Sequence, residues 1–149
     1  NMSAKIIPLI GSGVSGPLGA VHLPRLWQKI SLAVVGKLAD GYGDDGAGPG
    51  YDQMVIDGLG LYRTGVIHFI RIAKPSYVQF EAWVRSTGKT VDDESIARSN
   101  KAITDYMHSD DVALPILTAV GLPEEKTRHA VVVNALEDWH DFHKAEILT

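Results

Sequence analysis

Two short stretches carry the residue types that could do chemistry. The first is "HLPRLWQK", residues 22–29, which sets His22, Arg25 and Lys29 around the start of a helix. The positive end of the helix dipole disfavours cations there, so the placement asks for a nearby anion. The planar donors of Arg25 suit a carboxylate or phosphate taken through two parallel hydrogen bonds. His22 titrates near neutral pH and could act as acid or base beside it. Like charges four residues apart repel by only a few tenths of a kcal/mol. A purely structural reading therefore stays open, in which Arg25 pairs with Asp52 or Asp57 and joins the first two helices. The second stretch is "EDWHDFH", residues 137–143. His140 and His143 are three apart on one helix, a spacing that lets two side chains meet one metal ion or work together on protons. Glu137-x-x-His140 is also half of a di-iron carboxylate signature, but the chain contains no second Glu-x-x-His. The structural reading is an amphipathic helix whose histidines edge the core and bond to backbone or carboxylates; proton transfer by His140 and His143 is the functional expectation, with metal binding through the pair as the alternative.

The elements that must position these residues are mostly helical. Pro24 is a start signal, since its missing N–H would have been unpaired in the first turn anyway. The helix should run to about Leu38, with Leu26, Trp27, Ile30, Ala33 and Val34 on the core face. "DQMVIDGLG" follows as a short helix with Asp52 as cap and Gly60 as stop. "VIHFIRIA" is rich in β-branched residues and could be a strand; helix is the preferred assignment. Ser76 caps a helix from Tyr77 to Arg85. Another is expected from Asp92 to Met107, one after Ser109 despite Pro115, and a long final helix from Pro123 to about Glu146. His68 and His108 lack local partners and are assigned structural roles. Trp27, Trp83 and Trp139 are assigned to core faces. The serines of "GSGVSG" lack the strand-to-helix elbow of a hydrolase nucleophile.

Ten of the fifteen glycines lie between Gly11 and Gly50. All but Gly36 fall in an N-terminal arm over residues 1–20 and a Gly/Asp loop over 40–50. Neither is a phosphate loop, and Asp40, Asp44 and Asp45 lack calcium-loop spacing. The 149 residues suffice for one domain, here residues 1–149, with a proper core. The fold class expected is all-α: a bundle of about five to six helices.

The chain has no cysteine and a net charge of −4, which removes disulfides and argues against general nucleic-acid affinity. Counting Lys and Arg against Asp and Glu gives nine against six over residues 1–89 and five against twelve over 90–149, so +3 and −7. The halves complement one another within the fold or across a homodimer, or the first half receives an anion. No apolar run approaches the roughly 20 residues of a membrane span. Cytoplasm is the default location, and nothing calls for a cofactor.

"LGAVHLPRLWQKISLAVVGKL" followed by "YDQMVIDGLGL" resembles the bacterial family called domain of unknown function 5069. That family typically shows Leu-Gly-Gly, then Leu-Pro-Arg with Lys four residues after the Arg, then Ala-Gly, then Leu-Asp-Gln-Arg. Leu18, Gly19, Leu23, Pro24, Arg25, Lys29, Gly36, Asp52 and Gln53 fit, and "FEAWV" matches the family's Trp-containing helix. His22, Gln28 and Met54 depart from it, as does the longer glycine loop. The resemblance covers residues 16–86 and implies a compact helical bacterial domain without an assigned activity.

The combined expectation is a small-molecule-binding protein or enzyme. Arg25, Lys29, Asp52 and Gln53 would bind an anionic or carbonyl-bearing ligand, and His22, His140 and His143 would move protons. The alternative is a non-catalytic helical module that dimerises through an apolar helix face.

Overall fold

The computed structural model describes residues 5–149 and contains seven α-helices and a terminal π-helical turn: α1 Leu23–Val34, α2 Tyr51–Gly58, α3 Arg63–Ala73, α4 Tyr77–Thr87, α5 Asp93–Asp105, α6 Asp110–Ala119, α7 Ala130–Phe142 and the turn His143–Ile147. The fold is all-α, with more helices than the five to six expected. Residues 1–4 of the expected N-terminal arm lie outside the described residues. No helix among the described residues is long and apolar enough to cross a membrane.

Helices α1 to α5 close on one core. Leu23, Leu26 and Ile30 of α1 meet Val55 and Ile56 of α2, Val66 and Ile70 of α3, Phe80 and Val84 of α4, and Ile96 and Ile103 of α5. Removing each such side chain from water contributes about 1.5–3 kcal/mol. A smaller cluster of Ala113, Leu117 and Val133 joins α6 to α7. "VIHFIRIA" is helical despite its β-branched residues, because Val66 and Ile70 fall one turn apart on the buried side of α3. Ser76 and Gln79 form a reciprocal capping box at the start of α4, and Asp92 caps α5 through Ser95 N–H.

Three boundaries differ from expectation. Helix α1 stops at Val34 rather than Leu38: Gly36 takes φ +72°, and Lys37 N–H turns back to Leu32 O, a geometry that favours glycine. Asp52 is not the cap of α2; Gly50 occupies that place and Asp52 points into the protein. The final helix begins at Ala130 instead of Pro123. The residues just before Ala130 are held extended against the segment after α5, with His108 N–H donating to Arg128 O and Ala130 N–H to Tyr106 O. Arg128 is tied to Asp110 at 2.7 Å, which fixes that approach.

The N-terminal arm runs beside α1. Ile6 bridges Leu38 in parallel, and Ile10 N–H donates to the Gln28 side chain. The glycine loop folds back onto α1 at Gly46. A Cβ there would lie 2.5 Å from Lys29 O, and its φ is +82°, so only glycine permits the approach. That approach delivers Gly48 N–H to the Asp52 carboxylate at 2.7 Å.

Candidate functional site

Four of the seven expected site residues gather in the interior. Asp52 is the hub. Its Oδ1 lies 2.6 Å from His22 Nε2, and its Oδ2 accepts from Lys29 Nζ at 2.6 Å and from Gly48 N–H. His22 Nδ1 lies 3.0 Å from Ser12 Oγ. Burial alone would raise the Asp52 pKa; the His22 hydrogen bond and the Lys29 charge outweigh it and hold the carboxyl well below the usual carboxylate range. Burial pushes His22 the other way, lowering its pKa against the pull of Asp52. The carboxylate is therefore charged and the imidazole neutral. That fixes the protons: Nε2–H donates to Asp52, and the Ser12 hydroxyl donates to Nδ1. Lys29 supplies the balancing positive charge.

Ser12, His22 and Asp52 thus form a serine–histidine–carboxylate chain of hydrogen bonds, which the elbow criterion did not anticipate. All three are at most 3% exposed. A nucleophile needs an electrophile within reach, and the Ser12 hydroxyl is buried against His22. The chain of bonds instead pins the arm to α1 and α2. It also holds His22 at φ +72°, a left-handed backbone that costs a non-glycine residue about 1–2 kcal/mol.

Arg25 is equally enclosed. Its Nη1 donates to Asp138 Oδ2 at 2.7 Å and to the carbonyls of Pro8 and Ile10, and its Nη2 donates to Asp138 Oδ1 at 3.1 Å. The fork grips a carboxylate, as its geometry favours, but that carboxylate belongs to α7 and not to Asp52 or Asp57. Tyr42 of the glycine loop donates to Asp138 Oδ1 at 2.9 Å. Burial first, then the Asp138 charge, raises the Tyr42 pKa and keeps that phenol protonated.

The remaining expected residues lie elsewhere. Gln53 donates to Asp57 at 2.8 Å on the outer side of α2. His140 is half-buried and His143 exposed near the end of α7, and neither is hydrogen-bonded to the His22 network. Among the described residues no cluster of three or more His, Cys, Asp or Glu side chains could hold a metal ion. Trp139, assigned to the core from sequence, is 58% exposed, because the face of α7 opposite Val133 has no helix over it.

A cleft of about 390 Å³ opens on the other side of Tyr51, between the start of α2, the segment after α5 and the start of α7. Its walls are Tyr51, Met54, Tyr106 and His108, with Asn134 at the polar end. Asn134 Oδ1 lies 2.9 Å from His108 Nε2, which orients both side chains. Tyr51 is the partition between cleft and network. Its ring lies 5.4 Å from the His22 ring, and its hydroxyl donates to Ile103 O at 2.6 Å. Burial, then Tyr106, pushes the Tyr51 pKa up to about 12, so this donor stays protonated. The cleft residues were missed from sequence, where His108 was set aside for want of a local partner. The available signal was the alternation Tyr106-Met107-His108: in extended chain, residues two apart share a side, and Met107 bridges His129 there.

Fold and site together define a small all-α domain with a sealed charged interior and one aromatic cleft. Compared with family models, curated proteins and solved structures, the chain shows no match.

Proposed function

We propose that this chain is a small-molecule-binding protein whose ligand occupies the cleft beside Tyr51, rather than the mouth of α1. The supporting observation is the lining itself: ring walls with a polar pair, His108 and Asn134, at one end. Ligand sites commonly pair apolar walls with a few placed polar groups, in volumes of roughly 300–1,000 Å³; about 390 Å³ falls within that range. Asn134 keeps its amide N–H groups for a ligand acceptor while its oxygen engages His108. His22, Arg25, Lys29 and Asp52 serve the site indirectly, by fixing α1, α2 and α7 around it. The resemblance to domain of unknown function 5069 belongs to this proposal, as does a cytoplasmic location.

The test is a fragment screen followed by amide chemical shifts. Ligands are expected to move Tyr51, Met54, Tyr106, His108 and Asn134 together. Hits that shift only residues remote from Tyr51 would remove the cleft from consideration.

A second reading has its own observation. Val132, Trp139 and Phe142 are 44%, 58% and 37% exposed and lie seven and three residues apart, an apolar stripe along α7. Self-association through that stripe would make the chain a homodimeric module. Its mass in solution, with and without Trp139→Glu, decides it.

A further inference from the structure

We propose that the cleft selects a cation, specifically an alkylated ammonium group on a small organic body. This rests on the cleft being the binding site. The rings of Tyr51 and Tyr106 lie 5.7 Å apart at 66°, and those of Tyr106 and His108 lie 5.8 Å apart at 90°. Tyr51, Tyr106 and His108 all line the cleft, so three rings set at steep angles bound one volume. Aromatic faces carry negative potential and hold quaternary ammonium groups, which offer no hydrogen-bond donor and need none.

The surrounding charge points the same way. No lysine or arginine lines the cleft. Glu137 lies one helical turn beyond Asn134, within electrostatic reach of His108, and Asp138 and Asp141 stand close enough to raise its pKa after burial has done so. Residues 90–149, which supply Tyr106, His108, Ala130 and Asn134, carry seven more acidic than basic side chains. Arg25 and Lys29 of the first half are paired with Asp138 and Asp52, so those four charges largely offset one another. Two features oppose: α2 and α7 both begin at the cleft wall, and the start of a helix favours anions. Helix α2 has only eight residues and its first turn already holds the charged Asp52, while the first N–H of α7 is taken by Tyr106 O. The ligand chemistry inferred is therefore the reverse of the anion anticipated from Arg25 and Lys29.

Choline and its uncharged carbon isostere 3,3-dimethylbutan-1-ol separate the possibilities, titrated at pH 8 and constant ionic strength into the isotope-labelled chain. Benzoate serves as the anionic probe. Choline is expected to shift the Tyr51, Met54, Tyr106, His108 and Asn134 amides saturably, and about fivefold or more tighter than the alcohol. Tyr106→Phe should retain that preference, and Tyr106→Ala should lose it while melting as a folded protein. Equal affinity for choline and the alcohol, or preference for benzoate at the same amides, overturns the cation inference and leaves the cleft standing as a site. Failure of all three probes to move those amides removes the inference and the proposed site together.

Discussion

The charged interior and the aromatic cleft lie back to back across Tyr51, and they use polar groups in opposite ways. In the interior each charge is matched: Asp52 by Lys29, Arg25 by Asp138, and the neutral His22 by a donor on one side and an acceptor on the other. In the cleft, rings line open space, and Asn134 and His108 satisfy only part of one another's capacity. A matched buried charge holds elements in register and has nothing left for a ligand. A part-satisfied polar pair at the end of an aromatic slot has both capacity and access. Residue type alone would have ranked the two regions the other way.

Damage to the interior should therefore act on stability. The largest effect is expected from Asp52→Ala, which leaves Lys29 charged and unpaired at 8% exposure. Removing one partner of a buried pair typically costs about 3–5 kcal/mol. Urea unfolding measures this, and the double variant Lys29→Met/Asp52→Ala should recover part of the loss because no orphan charge remains. Arg25→Ala should cost somewhat less, on the order of 2–4 kcal/mol, since Asp138 keeps the Tyr42 hydroxyl. A loss under about 1 kcal/mol in either single variant would place these pairs in solvent-like surroundings and break the contrast.

Acid sharpens the same comparison. Burial holds the folded pKa of His22 below its ordinary value of 6.5, so as pH falls past that value the unfolded chain takes up a proton that the folded chain refuses. The His22 contribution is thus fully present above about pH 6.5 and is lost progressively below it. Asp52, depressed from 3.8, adds a second loss beginning near that pH. His22→Asn, chosen because asparagine tolerates positive φ, should be less stable at pH 7 yet show a flatter profile between pH 7 and 5. An unchanged slope would assign the acid sensitivity to other groups.

How legible each region was follows from sequence distance. His22, Arg25 and Lys29 were readable because helical spacing puts them together within two turns, and the Asp-Gln segment flagged Asp52. The partner of Arg25 was not, for Asp138 is 113 residues away. Nothing in the histidine-containing stretch around it marks it as that partner. Ser12 was dismissed on a local rule about strand-to-helix elbows, and only the folding of the arm onto α1 gives it His22. The cleft needed three segments, at 49–54, 106–108 and 130–134, and none is distinctive alone. Helix positions were recoverable from caps and periodicity. The late start of α7 was not, because backbone pairing with residues 106–108 overrides the Pro-Glu-Glu start signal at 123–125.

The smallest stability effect is expected at the cleft wall. Tyr106 is 46% exposed, and its backbone, not its ring, pairs with α7 through Ala130 N–H. Truncation to alanine removes ring contacts with Tyr51 and His108 on a surface that water already reaches, so no closed cavity forms and the backbone bridge survives. The expected cost is about 1 kcal/mol or less, several times below that of Asp52→Ala, although more atoms are removed. Thermal melts of the two variants side by side supply the ratio. A Tyr106→Ala loss approaching that of Asp52→Ala would mean that the rings act as a continuation of the core through Tyr51, and the cleft could then no longer be treated as free to bind.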